Sequence, residues 1–287
     1  MPDAELTQWR AARAGGVPLP EPDAEGRLEA VTVQVDQVDV GGAVLQHIKD
    51  AGGARCLVRV LQTTLPHDAE GPWAAVVAAI ENHARKRGAT TLAAAVAPDL
   101  VSVFGRAGFQ ATMATIGKRL DPTGAAELQE DRRVDVRPMT DAERQRFALE
   151  VREQLYAGMA RAGVVDRTGS RLDELENRIA ELTADPPPEA ELLMTGLVDG
   201  VPVGRAWATL VVSDGDLDFF GNAIDLFPEY RGQGLTKSFL GALRRHVHEL
   251  GVRDVHLRVY GHDQGARRTF LDNGAGIAEV QLRKDLH

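Results

Sequence analysis

The sequence contains a single cysteine, Cys56, in 287 residues. One thiol makes no internal disulfide and stands in no cluster with metal-ligand spacing. A disulfide scaffold and a cysteine-based zinc fold are therefore excluded, and no metal is expected. A reduced, cytoplasmic setting is the expectation. Aromatic residues are scarce at 5%. No apolar run approaches the ~20 residues needed to span a bilayer, and no basic start leads into an apolar stretch, so neither a membrane nor a signal peptide is expected. Positive charge is also short. Lys and Arg number 33 against 42 Asp and Glu, a formal net charge of -9. That argues against nucleic acid or an anionic membrane as partner, while a local basic patch for a phosphorylated ligand stays compatible.

What is present describes a globular chain. Hydrophobic residues make up 44% and charged residues 26%. At roughly 150 residues per domain the length suits two domains, each able to bury a core. Residues 1–26 are rich in Ala, Gly, Pro and Glu. Their Pro18-Leu19-Pro20-Glu21-Pro22 stretch predicts an extended N-terminal extension.

Residues 27–120 form a first unit. Leu28 to Val40 alternates as one half-buried strand, and Arg55 to Leu61 and Thr90 to Val96 read as two more. Trp73 to Arg87 has helical spacing, Leu100 to Arg106 is a short helix, and Phe109 to Leu120 a final strand. Residues 121–133, with Pro122, Gly124 and the run Glu130-Asp131-Arg132-Arg133, read as a linker. Residues 134–287 form a second unit. It holds helices over Asp141–Ala162 and Ser170–Leu182, a hairpin about Asp199-Gly200 and an apolar strand over Leu217–Phe227. Then come a helix over Leu235–Leu250, a strand over Val255–Tyr260, a helix over Gln264–Asp272 and a strand over Ile277–Leu286. The two units repeat one another. Gly88 pairs with Gly251 and Gly71 with Gly234 at the same offset of 163, each Gly88-type position lying between a helix and a strand.

One stretch carries chemistry. Pro228-Glu229-Tyr230-Arg231-Gly232-Gln233-Gly234-Leu235-Thr236-Lys237 follows an apolar strand and opens a helix. A glycine-rich turn there gathers backbone N–H groups at the positive end of the helix, which suits a pyrophosphate. Gly-Lys-Ser/Thr is missing, so the turn is not a P-loop, and Gly-x-Gly-x-x-Gly is absent from it.

These residues resemble the acyl-CoA-binding motif of the GNAT superfamily of N-acetyltransferases, Arg/Gln-x-x-Gly-x-Gly/Ala. Arg231 and Gly234 match, and Thr236 stands where Gly or Ala is usual. The segment Leu257 to Arg268 resembles the next family motif. Ala266 and Gly274 match it, while Asp263 replaces the usual Asn, Phe270 the usual Tyr and Ala275 the usual Phe. The opening Val136-Arg137-Pro138-Met139-Thr140-Asp141 is also similar to the start of such a domain. The first unit resembles the same fold in worn form: Glu70-Gly71-Pro72-Trp73 stands where Gln233-Gly234-Leu235-Thr236 stands in the second, and Asp68 stands opposite Arg231. The resemblance thus implies an α/β class fold with mixed sheets, as two tandem GNAT-like domains of which only the second holds CoA.

It further implies an N-acyltransferase. Acetyl from acetyl-CoA would pass to a small-molecule amine by direct attack while both substrates are bound. Leu226, Phe227, Arg231, Gly232, Gln233, Gly234, Leu235, Thr236, Lys237, Asp263 and Arg267 would hold the donor, with Arg268 as a further phosphate candidate. The Leu226 backbone would polarise the thioester carbonyl. Asp225 is the leading base candidate, and Asp218 and Asn222 are weaker ones. Phe270 cannot donate a proton, so Tyr260 or His262 stands in as acid, or the thiolate leaves unassisted. Tyr156 is a candidate to line the acceptor, and Trp207 is read as core. The alternatives are a non-catalytic acyl-CoA-binding module or sensor, and other acyl transfer on the same fold. A monomer or homodimer is expected.

Overall fold

Two turns show how local chemistry sets the strands. Asp199 and Gly200 both take positive φ, 49° and 80°. β7 (Glu191–Val198) therefore returns tightly into β8 (Val201–Ser213), as the Asp-Gly pair predicts. The same device recurs at Asp36 and Gln37, with φ of 52° and 65°. There the single strand expected from Leu28 to Val40 is in fact a hairpin. β1 (Arg27–Val35) turns back into β2 (Val38–Asp50), with Val35 opposite Val38. The turn contains no glycine, so it left no mark in the sequence.

The computed structural model describes residues 26–50, 53–121, 123, 131–161, 170–185, 187–213, 215–261, 263–272 and 274–286. Nearly all of the N-terminal extension, most of the linker, and His262 lie outside these. The further strands are β3 (Gly53–Thr63), β4 (Thr91–Val96), β5 (Gln110–Arg119), β6 (Asp135–Pro138), β9 (Asp216–Leu226), β10 (Val252–Tyr260) and β11 (Gly276–Asp285). The helices are α1 (Glu70–Lys86), α2 (Val101–Arg106), α3 (Asp141–Arg161), α4 (Ser170–Glu181), α5 (Leu235–Glu249) and α6 (Gln264–Asp272). None of them is long and apolar enough to cross a membrane.

All these strands share one sheet, in the order β1-β2-β3-β4-β11-β5-β10-β9-β8-β7-β6. The order is nearly a palindrome, with β1 to β5 of the first half answering β7 to β11 of the second. At its centre the halves exchange strands. β11 pairs with β4 and β5, and β5 pairs with β11 and β10, all antiparallel. Each half thus covers an edge the other would expose. Val280, Leu282 and Leu286 from the C-terminal end accordingly pack into the first half's core with Trp73, Val77, Leu92 and Phe104. Gly88 and Gly251, the repeat's matching glycines, both sit at positive φ, 81° and 78°.

In the second half the sheet has helices on both faces. Ala206 and Trp207 are neighbours on β8 and so point to opposite sides. Ala206 packs with Phe239 and Leu243 of α5, and Trp207 with Phe147 and Val151 of α3. α3 begins in a reciprocal cap. Glu143 N donates to Thr140 Oγ1 at 3.3 Å, and Thr140 N donates to Glu143 Oε2 at 2.7 Å. Arg137 adds two bonds to the same carboxylate, at 2.7 and 2.9 Å. The Arg137 guanidinium and then the Thr140 N–H hold the Glu143 carboxyl down to about 2, against an opposing effect of burial. A depressed acid stabilises the fold above its ordinary value of 4.5 and loses that contribution as pH falls toward 2. Glu143→Ala is expected to lower the unfolding free energy by about 1–2 kcal/mol at neutral pH. Denaturant titrations should show this difference shrinking between pH 4.5 and 2.

Candidate active site

The sheet of the second half opens at one place. β9 and β10 pair in parallel from Leu217 with Val252 to Gly221 with Leu257, and there the ladder stops. Beyond that point each strand keeps only its other neighbour. β9 stays on β8 as far as Leu226, opposite Gly204. β10 stays on β5 as far as Tyr260, opposite Met113. The strands therefore part as a V. A bulge explains the parting. Trp207 pairs with Ala223 and Ala208 with Gly221, leaving Asn222 as the extra residue on β9, and a bulge bends and twists its strand. Gly221 stands at the vertex. A Cβ there would lie 2.1 Å from Leu257 Cδ2, so a side chain at this position would displace Leu257.

Along the β9 arm, Phe227 N donates to Val203 O at 3.0 Å. Alternation along the strand turns the Leu226 N–H to the opposite edge, into the V. The Leu226 carbonyl on that same edge accepts Arg231 Nε at 2.9 Å, which ties the following turn to the strand end. Gly232 and Gly234 hold φ of 74° and 71°. Gly234 is the N-cap of α5, and no side chain caps this helix. Arg231, Gly232, Gln233, Gly234, Thr236 and Lys237 are exposed, while Leu235 is buried beneath them. The first turn carries no acid. The result is an open group of N–H donors at a positive helix end.

A strap from the expected linker braces this turn. Val134 N donates to Ser238 Oγ at 2.9 Å, Ser238 Oγ donates to Asp131 O at 3.0 Å, and Arg133 donates to Gly234 O at 3.0 Å. Arg133 thereby sets a guanidinium beside the turn, ion-paired to Asp131 at 2.6 Å. Sequence reading did not single out Arg133; its signal was the charge run that ends on it.

Asp225 lies on the α3 face of the same arm. Its Oδ1 is 3.2 Å from Nε of Arg205, whose Nη1 is 2.5 Å from Glu150 Oε2. Arg205 is buried at 7% exposure and stands between the two carboxylates. Neither Arg205 nor Glu150 was anticipated, although one arginine inside Val203-Gly204-Arg205-Ala206-Trp207 was a legible oddity. Asn222 donates to Thr209 Oγ1 at 2.8 Å. Asp218 is buried on the paired stretch of β9, beside Asp254, and so lies away from the V. Trp207 is core as expected, its Nε1 donating to Glu191 Oε2 at 2.5 Å. Tyr156 donates to Glu176 Oε1 at 2.5 Å on the α3–α4 side.

The β10 arm carries the remaining candidates. Tyr260 ends the strand with its ring against Gly158 of α3, where a Cβ would stand 2.6 Å from the ring. Burial raises the pKa of its phenol, so the hydroxyl holds its proton. Asp263 Oδ1 accepts Ala266 N at 2.9 Å and so caps α6. Arg267 and Arg268 are exposed on that helix. Phe270 lines a cavity of about 60 Å³ with Leu240, Leu243, Val247 and Leu257. A ring without a hydroxyl suits that apolar lining.

The first half keeps the V and loses the turn. β3 and β4 pair only from Arg55 with Thr91 to Val58 with Ala94. But Gly71 lies inside α1, which starts directly at Glu70 with no left-handed residue before it. Trp73 is fully buried, with Nε1 donating to Pro66 O at 2.9 Å. Burial also pushes the Cys56 thiol up to about 12, so it is a core group rather than a nucleophile.

No family model matches the sequence. Among curated proteins, the uncharacterized N-acetyltransferase YycN of Bacillus subtilis (strain 168) is 30% identical over 84 residues, which is 29% of this chain and 54% of that protein. The chain thus spans about half the length of this curated relative. Among solved structures, a tandem GNAT protein from the clavulanic acid biosynthesis pathway superposes with a TM-score of 0.51 at 16% identity, covering 99% of this chain and 94% of that one. A GCN5-related N-acetyltransferase from Sphaerobacter thermophilus gives 0.50 at 16% identity, over 99% and 92% of the two chains. The chain has the tandem GNAT fold.

Proposed function

We propose that the second half binds an acyl-CoA in the V between β9 and β10 and transfers the acyl group, acetyl in the simplest case, to a small-molecule amine. The observation that carries this reading is the coincidence of three features on one arm. A strand leaves its partner, its last N–H faces the gap, and a glycine turn with open N–H groups follows at once. The turn from Arg231 to Lys237 takes the pyrophosphate, with Arg133 beside it. The Leu226 N–H meets the thioester oxygen, where a donor aimed at developing charge is worth about 3 kcal/mol. The amine approaches from the α3 face. It gives up its proton to Asp225, directly or through water, while Arg205 fixes the carboxylate in place. The thiolate leaves on the β10 arm, where Tyr260, at the end of β10, is the candidate proton source.

One observation favours a second reading. Phe270 stands where the resembled motif has its Tyr acid and packs into an apolar cavity instead, so a binding module or sensor for acyl-CoA is the alternative. Free-thiol release from acetyl-CoA separates the two. Transfer predicts thiol release that depends on an added amine and saturates with it. A module predicts donor binding with no amine-dependent release.

A further inference from the structure

The first half holds a group of side chains unrelated to acyl chemistry. Glu29 on β1 and His47 on β2 share one face of the hairpin, and the last turn of α1 brings His83 over them. Glu29 Oε2 is 3.3 Å from His47 Nε2 and 3.2 Å from His83 Nε2. The three donor atoms lie within 4.8 Å of one another. His47 Nε2 is buried and makes no well-aligned hydrogen bond, while His83 Nε2 stands at hydrogen-bond distance from the same carboxylate oxygen. Lone pairs held this close share a cation between them, either a proton or a metal ion. A tetrahedral ion with ligands at about 2.0–2.1 Å sets those ligands about 3.3 Å apart. Both edges of the group that run from Glu29 have this length.

We infer that Glu29, His47 and His83 bind one divalent transition metal of the zinc class, clamping α1 to the β1–β2 hairpin. Two imidazoles with one carboxylate suit zinc or cobalt rather than magnesium or calcium, which take oxygen ligands. Arg87 donates to the other carboxylate oxygen, Glu29 Oε1, at 2.5 Å. It turns Oε2 toward the histidines as an outer partner does, although its charge also opposes the cation. Cys56 stands opposite His47 across β2 and β3 but is not among the donor atoms that lie within 4.8 Å of one another. The fourth position is reached past His83, whose side chain is 32% exposed.

The test uses the full chain without a histidine tag, stripped with chelator and titrated with cobalt(II). The expected result is a visible d–d absorption that saturates at one equivalent and is displaced by zinc. His83→Gln and Glu29→Gln should each weaken binding by about tenfold or more. His67→Gln, on an exposed residue beside Asp99, should leave it unchanged. His83→Gln decides the matter if Glu29→Gln disturbs the fold, because His83 sits on the accessible side. No tetrahedral absorption, or cobalt affinity unaltered in His83→Gln, overturns the inference.

Discussion

Gly234→Asp is expected to lower acetyl-CoA affinity about 100-fold while the protein stays folded. The position holds φ of 71°, a region that Asp and Asn enter more readily than other side chains. No backbone atom crowds it; the nearest atom to an added Cβ is Arg133 Nη2 at 3.9 Å. The substitution therefore leaves the turn and α5 standing. Its effect is electrostatic. It sets a carboxylate among the N–H groups that would hold the pyrophosphate. Two like charges about 4 Å apart in a setting of intermediate dielectric repel by a few kcal/mol, and about 2.7 kcal/mol corresponds to 100-fold. Calorimetry with acetyl-CoA measures the loss, and circular dichroism checks the fold.

Asp225→Asn should slow turnover about 100-fold with donor affinity within about threefold of wild type, as loss of a general base does. The amide keeps the carboxylate's shape, and its oxygen still accepts from Arg205 Nε, now 3.2 Å away. Glu150 remains to neutralise Arg205, so no buried charge is left alone and stability changes little. Steady-state kinetics with saturating amine give the ratio. A variant as fast as wild type would leave Asp225 as Arg205's structural partner alone.

Much of the architecture was legible because its signals are local. The Asp199-Gly200 pair marks a hairpin, glycines close helices, and the strand–turn–helix around Gly234 follows the expected order. The recurrence of Gly88 as Gly251 pointed to two copies, and both share positive φ. What stayed hidden depends on partners far apart in the chain. No local pattern shows that β11 inserts between β4 and β5, since strand neighbours are chosen by edges that need covering. The hairpin at Asp36-Gln37 was missed because its left-handed residues are not glycine. Within the site, the glycine turn could be read directly, but the Arg205 bridge between Asp225 and Glu150 joins a strand, its neighbour and a helix 55 residues from Arg205. The Glu29, His47 and His83 group escaped for the same reason, since its members come from two strands and a helix.

Isothermal titration calorimetry of wild type and Gly234→Asp with acetyl-CoA tests the donor site at the turn that opens α5. Wild type is expected to bind with micromolar affinity, about -8 kcal/mol, and the variant to lose nearly all of it. Absence of binding by wild type, or equal binding by both proteins, would contradict the assignment of the donor to the turn that opens α5.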